Sequence, residues 1–368
     1  MKIIHCADLH LDSKMTANLD RERAKERRRE ILQTFSRMVD YAAVNNVTAI
    51  LIAGDMFDTS NVSALARNTV KDSIISHPEI TFYYLNGNHD RDNFLSSLEE
   101  IPDNLKLFEN EWISYRVNND SNVIVTAVEL TKENSGSCYN SLLLKPENIN
   151  IVMLHGQEAI TSRRDNAEVI NLRELKNKNI DYLALGHIHS YKEAPLDARG
   201  VYCYAGALEG RGFDELGDHG FVLLHINEER ISIEREFVSF ASRRLVSIEV
   251  DITGALTTAD IIKITDEAIR KEEVDRSYLL KLILKGNVDI ECEKDEEYIL
   301  KHYEPLFYFV KIYDESRLRV DYEDYRLDVS LKGEFVRGVM AAKDIPESEK
   351  PTVIRIGLRA IAGEEIDK

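Results

Sequence analysis

The chain has 368 residues, 43% of them hydrophobic, and a formal net charge of −18 at pH 7. That length exceeds what one core ordinarily serves, so two domains are expected, and the acid excess argues against a protein that grips nucleic acid through a basic surface of its own. No apolar run is long enough to span a bilayer, "MKIIHCADLH" lacks the apolar stretch of a signal peptide, and the four cysteines form no CxxC pair; a reduced, cytoplasmic chain is the expectation.

The first apolar run, "KIIHCA", reads as a buried strand and is followed by Asp8 and His10. Next comes the basic run "RERAKERRRE", leading into "ILQTFSRMVDYAA", where Ile31, Phe35, Met38 and Ala42 recur at helical spacing. Two readings stand: the solvated start of an amphipathic helix, or a phosphate-contacting edge with Arg27 and Arg28 as its contacts. "TAILIAG" is a second strand ending at Asp55, with Asp58 just beyond; "VSALARNTVKDSIIS" is helical; "ITFYYLN" is a third strand running into Asn88 and His89. Such alternation implies a mainly parallel sheet. After about residue 105 the strands come closer together: "NVIVTAVEL", "NINIVMLHG" with His155, "IDYLALGHIH" with His187 and His189, then "GVYCYAGA", "GFVLLHI" and "RISIEREF". A second sheet packed on the first, with helices outside, accommodates them. From about residue 241, "LVSIEVDI", helical "TTADIIKITDEAIRKEE", "SYLLKLILKG" and "PLFYFVKIYD" describe a smaller α/β unit. The tail carries helical "SLKGEFVRGVMAAKD", with Phe335, Val336, Val339 and Met340, and apolar "PTVIRIGLRAI", with Val353, Ile354, Ile356 and Leu358; two readings stand, docking of a partner or packing on the preceding unit. The expected divisions are 1–240, 241–325 and 326–368.

One chemistry recurs where the strands end: Asp8 with His10, Asp55, Asn88 with His89, His155, and His187 with His189. Ligands of open sheets collect at the carboxyl ends of strands, so these side chains are placed to share one edge. On extended backbone residues i and i+2 share a face, which would let each of the pairs Asp8/His10 and His187/His189 reach a common centre. Any one of them alone is ordinary turn chemistry; the ordered set is specific. Mixed imidazole, carboxylate and amide groups suit Mn²⁺ or Fe²⁺ better than Mg²⁺. The remaining histidines read differently. His5 is a packed neighbour inside its strand, His77 sits at a helix end, His225 ends a strand with no partner motif, and His219 is a turn residue or a substrate-side group.

The motifs "ADLHLD", "LIAGDMFD", "LNGNHD", "LHGQ" and "YLALGHIH" resemble those of the calcineurin-like metallophosphoesterase superfamily, and within it the SbcD-like DNA repair exonucleases. "YAGALEGRGFDELGDHGFVLL" is similar to their YhaO-type branch. The resemblance implies a four-layer α-β-β-α sandwich with a small C-terminal α/β cap, and a two-metal phosphodiesterase site. Asp8, His10, Asp55 and His189 would hold one ion; Asp55, Asn88, His155 and His187 the other, with Asp55 bridging. His89 would be a catalytic acid, and Asp58 a further catalytic candidate whose role cannot be transferred from relatives that carry histidine there. It also implies a Mn²⁺-dependent DNA exonuclease, Fe²⁺ or Mg²⁺ being alternatives, located with the nucleoid and partnered by an SMC-like coiled-coil ATPase. A homodimer through the helices after Asp55 and His89 would follow, using Leu65, Ala66, Val70 and Ile74 with Phe94, Leu95 and Leu98; periodicity equally allows both segments to face their own core. Two other functions share the site: hydrolysis of a nucleotide or other small phosphate ester, and a metal-stabilised scaffold without catalysis.

Overall fold

The computed structural model describes residues 1–15, 19–58, 62–87, 98, 100–159, 169–289, 292–319 and 325–362. The chain divides into two compact units, Met1–Arg244 and Leu245–Lys368. The first runs β1 (Lys2–Cys6), α1 (Arg21–Val44), β2 (Ala49–Ala53), α2 (Ala64–Ile75), β3 (Thr81–Leu85), β4 (Leu105–Leu107), β5 (Ile113–Arg116), β6 (Val123–Ala127), β7 (Ile149–His155), β8 (Gln157–Ala159), β9 (Val169–Asn171), α3 (Leu172–Leu175), β10 (Tyr182–Gly186), β11 (Lys192–Pro195), β12 (Val201–Tyr204), β13 (Gly220–Asn227) and β14 (Ser232–Ser239). Two six-stranded sheets result, ordered β14-β13-β1-β2-β3-β4 and β11-β12-β10-β7-β6-β5. β1 to β4 run parallel with β13 against them, and β12, β10, β7 and β6 run parallel with β11 and β5 against them.

Alternation along the strands sets the layers. In β1, Ile3 faces the second sheet with Leu51, Tyr83, Ile151, Met153 and Tyr182, while Ile4 faces the helices with Ile31, Phe35, Ile50 and Phe82, as successive strand residues must. Beyond the second sheet Val152, Leu154, Leu183 and Leu185 pack on Tyr139, Leu172 and Leu175. The order is therefore helix, sheet, sheet, helix. Helix α1 starts where the Asp20 carboxylate accepts N–H bonds from Glu22 (3.0 Å) and Arg23 (2.9 Å), which satisfies donors that the first turn leaves unpaired. Its buried stripe includes Ala24, Arg27, Ile31, Phe35, Met38 and Ala42, and each large apolar member of such a stripe contributes roughly 1.5–3 kcal/mol by burial. In α2, Ala66, Val70 and Ile74 belong to this same core, as does Leu98 in part, so they are not free to line a dimer face; Leu65 (59% exposed) and Ile75 (52%) remain outside. Phe94 and Leu95 lie outside the described residues.

The second unit runs β15 (Leu245–Asp251), α4 (Thr258–Lys271), β16 (Leu279–Lys285), β17 (Asn287–Asp289), α5 (Glu296–Tyr303), β18 (Phe309–Asp314), β19 (Arg317–Arg319), α6 (Leu331–Ala341) and α7 (Lys350–Ala362). Its sheet, β15-β16-β18, is wholly parallel. Helix α4 opens with a reciprocal cap between Thr257 and Asp260 and lays Ile261 and Ile269 on Leu280, Leu282 and Leu284. Both tail helices fall inside this unit. Val336 and Val339 of α6 pack on Ile354 and Leu358 of α7, with Phe335, Met340 and Val353 beside them, so these side chains are mutual core and not an open docking stripe. Among the described residues no helix is long and apolar enough to cross a membrane.

Candidate metal centre

The parallel strands of both sheets deliver their carboxyl ends to one edge of the first unit. The segments leaving β1 and β2 run side by side: Asp8 N–H donates to Gly54 O (3.1 Å), His10 N–H to Asp55 O (2.9 Å) and Leu11 N–H to Met56 O (2.9 Å). Across the sheets, His187 N–H donates to both Asp8 carboxylate oxygens at 2.9 and 3.0 Å. Asp8, His10 and Asp55 are almost wholly buried. They also sit on left-handed backbone, with φ of 50°, 43° and 51°, and His187 has φ 103°. Non-glycine residues rarely adopt such angles, and clusters of them mark places where the surrounding structure enforces a local cost. The i, i+2 argument from extended backbone is thereby corrected: Asp8 and His10 converge because the chain turns left-handed at both, not because a strand continues.

Two groups of side chains present donor atoms within 4.8 Å of one another: Asp8, His10 and His189, and Asp8, Asp55 and His155. Asp55 Oδ2 faces both, 3.8 Å from His10 Nε2 and 3.4 Å from His155 Nε2. The His187 ring meets that of His155 edge-on at 5.4 Å between centroids. Asn88 and His89 lie outside the described residues.

The imidazoles are held so that Nε2 is the donor. His189 Nδ1 bonds Glu215 Oε1 at 2.6 Å, His155 Nδ1 bonds Ala53 O at 2.9 Å, and His10 Nδ1 lies 3.2 Å from Asp58 Oδ1. An Nδ1–H committed to an acceptor leaves a lone pair on Nε2, the usual arrangement behind a metal-binding histidine. His10 Nε2 and His189 Nε2 stand only 3.1 Å apart. Two nitrogens at that distance share either a proton or a cation, and with carboxylates Asp8 and Asp55 beside them the donor set fits a divalent ion. The electrostatics agree. Burial works against charging His155, yet its bond to Asp55 and the charges of Asp8 and Asp55 raise it to about 9. His189 is raised too: burial is the largest effect and opposes it, but the Glu215 bond and the charges of Asp8 and Glu215 together overcome it. The bond from His10, with burial opposing and Arg211 assisting, holds Asp58 down to about 2. Glu215 is also held at about 2, where His189 and Arg211 overcome a larger burial effect.

Two glycines make room for this. A Cβ on Gly54, whose φ is +92°, would fall within the His155 ring, and one on Gly87 would fall against the Asp55 carboxylate. Asn86, next in line, donates to the Glu129 carboxylate.

Some sequence-based assignments move. Arg27 is no phosphate contact: its side chain is 0% exposed, and it donates to Glu209 Oε2 (3.0 Å), Glu30 Oε2 (2.6 Å) and Gly210 O (3.0 Å). A guanidinium so enclosed serves buried carboxylates. Arg28 is half-buried on the same helix. Asp58 stands on the Nδ1 side of His10, away from Nε2, and pairs with Arg211. His219 is 3% exposed, with Nε2 3.0 Å from Glu215 O, so it is part of the packing of that turn. Glu215 and Arg211, which the strand-end pattern did not include, stand behind His189.

The sequence profile of the calcineurin-like phosphoesterases matches residues 1–191, and the chain belongs to that family. It is thus a metal-dependent phosphoesterase, and its described residues contain candidate ligands for the two-metal chemistry of the family. It is 28% identical over 299 residues to the uncharacterized metallophosphoesterase YhaO of Bacillus subtilis (strain 168), covering 78% of this chain and 72% of that one. It is 26% identical over 317 residues to the DNA double-strand break repair protein Mre11 of Sulfolobus acidocaldarius, covering 79% and 76%. To the protein of the same name in Saccharolobus solfataricus it is 24% identical over 356 residues, covering 89% and 86%.

Proposed function

We propose that this phosphoesterase is a DNA exonuclease, the Mn²⁺-dependent catalytic subunit of a repair complex with an SMC-like coiled-coil ATPase in the nucleoid. The observation that carries this reading is the reach of the similarity: the alignment with one DNA repair protein covers 89% of the chain, well past the phosphoesterase match at 1–191. Hydrolysis of a small ester would make no demand on the second unit.

Asp8, His10 and His189 would hold one cation, and Asp55, His155, His187 and Asn88 the other, with Asp55 shared. When bound, such ions supply Lewis acidity at the phosphoryl group and activate the attacking water. The protein's part is to orient the donors, through Asp58, Glu215 and Ala53 O, and to hold a proton on His89 for the leaving oxygen. The net charge of −18 repels a polyanion at long range, so grip and delivery fall to the ATPase. Leu327 (80% exposed), Val329 (99%), Leu331 (65%) and Ile356 (45%) of the second unit offer that partner an apolar surface. A dimer would use Leu65 and Ile75.

The charge also favours a second reading, a small phosphate ester as substrate. Incubating the Mn²⁺-loaded protein with end-labelled duplex DNA, single-stranded DNA and bis-p-nitrophenyl phosphate separates the two. Release of nucleotides from DNA ends supports the nuclease. Turnover of the small ester alone, with DNA untouched even beside the ATPase, overturns it.

A further inference from the structure

We propose that Arg211 is a positioning residue that yokes the two histidines of one cation site, acting through Asp58 and Glu215. The inference rests on the metal site described above, and its basis is a repeated geometry. Arg211 Nη1 donates to Asp58 Oδ1 at 3.0 Å, the same oxygen that lies 3.2 Å from His10 Nδ1. Arg211 Nη2 donates to Glu215 Oε1 at 2.9 Å, the same oxygen that takes His189 Nδ1 at 2.6 Å. Asp58 Oδ1 therefore takes one arm of the guanidinium beside the His10 imidazole, and Glu215 Oε1 takes the His189 imidazole and the other side of the same guanidinium. Arg211 Nε (3.2 Å) and its backbone N–H (2.8 Å) also bond Glu215. The guanidinium is planar and its donors are fixed in a fork, so the spacing of Asp58 from Glu215 sets the spacing of His10 from His189.

The loop bearing Arg211 is itself anchored. Glu209, 2% exposed, accepts from Arg27 Nη2 (3.0 Å), Thr34 Oγ1 (2.6 Å) and Ser242 N–H (2.5 Å), and Gly210 O accepts from Arg27 at 3.0 Å. Arg211 thus starts from a point pinned to α1 and reaches two carboxylates from different segments. His155 is held differently, its Nδ1 bonding the backbone carbonyl of Ala53. Of the two ion positions proposed, one draws on this side-chain network, whereas His155 of the other is oriented by a carbonyl at the end of β2.

The test reads metal binding directly. Mn²⁺ is titrated into metal-free wild type and into Arg211→Met, Arg211→Lys, Glu215→Gln and the Arg211→Met/Glu215→Gln double variant, by calorimetry and by the electron paramagnetic resonance of coupled against isolated ions. Wild type should bind in two steps. Arg211→Met should weaken one step by about 10–100-fold, the scale for losing an orienting partner, and leave the other unchanged. Arg211→Lys should not restore it, because one ammonium cannot span both carboxylates. Glu215→Gln, which keeps shape and packing, should weaken the same step, and the double variant should be no worse than the singles. Two wild-type steps in Arg211→Met, equal weakening of both, or additive losses would overturn the proposal. Absence of any Mn²⁺ uptake by wild type would overturn the metal reading along with it.

Discussion

Parallel strands of both units end in acidic residues, and the fates of those residues differ. In the second unit β15 ends at Asp251, whose Oδ1 accepts from Thr253 N–H (3.0 Å) and Thr253 Oγ1 (2.6 Å). At the end of β18, Asp314 Oδ1 accepts from Ser316 N–H (3.0 Å) and Oγ (2.6 Å), and Lys294 pairs with the other oxygen. Each of these acids is bonded within its own turn two residues on. In the first unit Asp8 takes its N–H bonds from His187, 179 residues away, and shares its surroundings with a second buried carboxylate, Asp55. An acid satisfied by its own turn is punctuation. One that is buried on left-handed backbone and met by donors from other strands is chemistry.

The comparison breaks most sharply at Asp55. Asp55→Ala removes the carboxylate that faces both His10 and His155, so metal uptake and hydrolysis should both vanish; a variant that still carries two equivalents of metal by plasma mass spectrometry would contradict the assignment. His89→Ala should depress turnover by roughly 10²-fold while the metal content stays whole, as expected for a lost proton donor. If it came out metal-free, His89 would be a ligand instead.

A third contrast concerns acid stability. Burial drives His5 from 6.5 down to about 3, whereas the only histidine of the second unit, His302, is exposed. Below pH 6.5 the unfolded chain takes up a proton that folded His5 refuses. Stability from this source is complete above pH 6.5 and drains as pH falls toward 3, at roughly 1.4 kcal/mol per unit. Urea unfolding followed across that window should show a shallower slope for His5→Gln, and an unchanged slope would refute the assignment. The smallest effect belongs to Asp251→Asn, which should leave metal content and turnover unaltered in the same assays.

Legibility in the sequence followed the same divide. Asp8, Asp55, His155, His187 and His189 could be found because each closes an apolar run whose period is plain, and the layered sheets follow from those runs. What escaped was irregular. Arg211 and Glu215 lie on the turn between β12 and β13, where no periodicity marks a residue as inward. The left-handed angles at Asp8 and His10 are tertiary in origin and have no local signature. Arg27 is a different case: it falls on the stripe Ala24, Arg27, Ile31, Phe35, so its spacing points to burial while its charge points to solvent, and the spacing prevails because buried Glu209 pairs with it. The tail helices were ambiguous for the reverse reason, since an apolar stripe says that a face is covered without saying by what.

The anchoring of His189 by Glu215 also bears on how the protein is made. Asp8 and His10 leave the ribosome well before the donors that complete their surroundings, His187, His189, Arg211 and Glu215, which follow roughly 180 to 210 residues later. At a synthesis rate of about 5–20 residues per second that delay lasts on the order of ten seconds or more. A centre that draws its side chains from both sheets can assemble only after both sheets exist, and a chain interrupted before residue 187 lacks the donors that Asp8 and His10 meet.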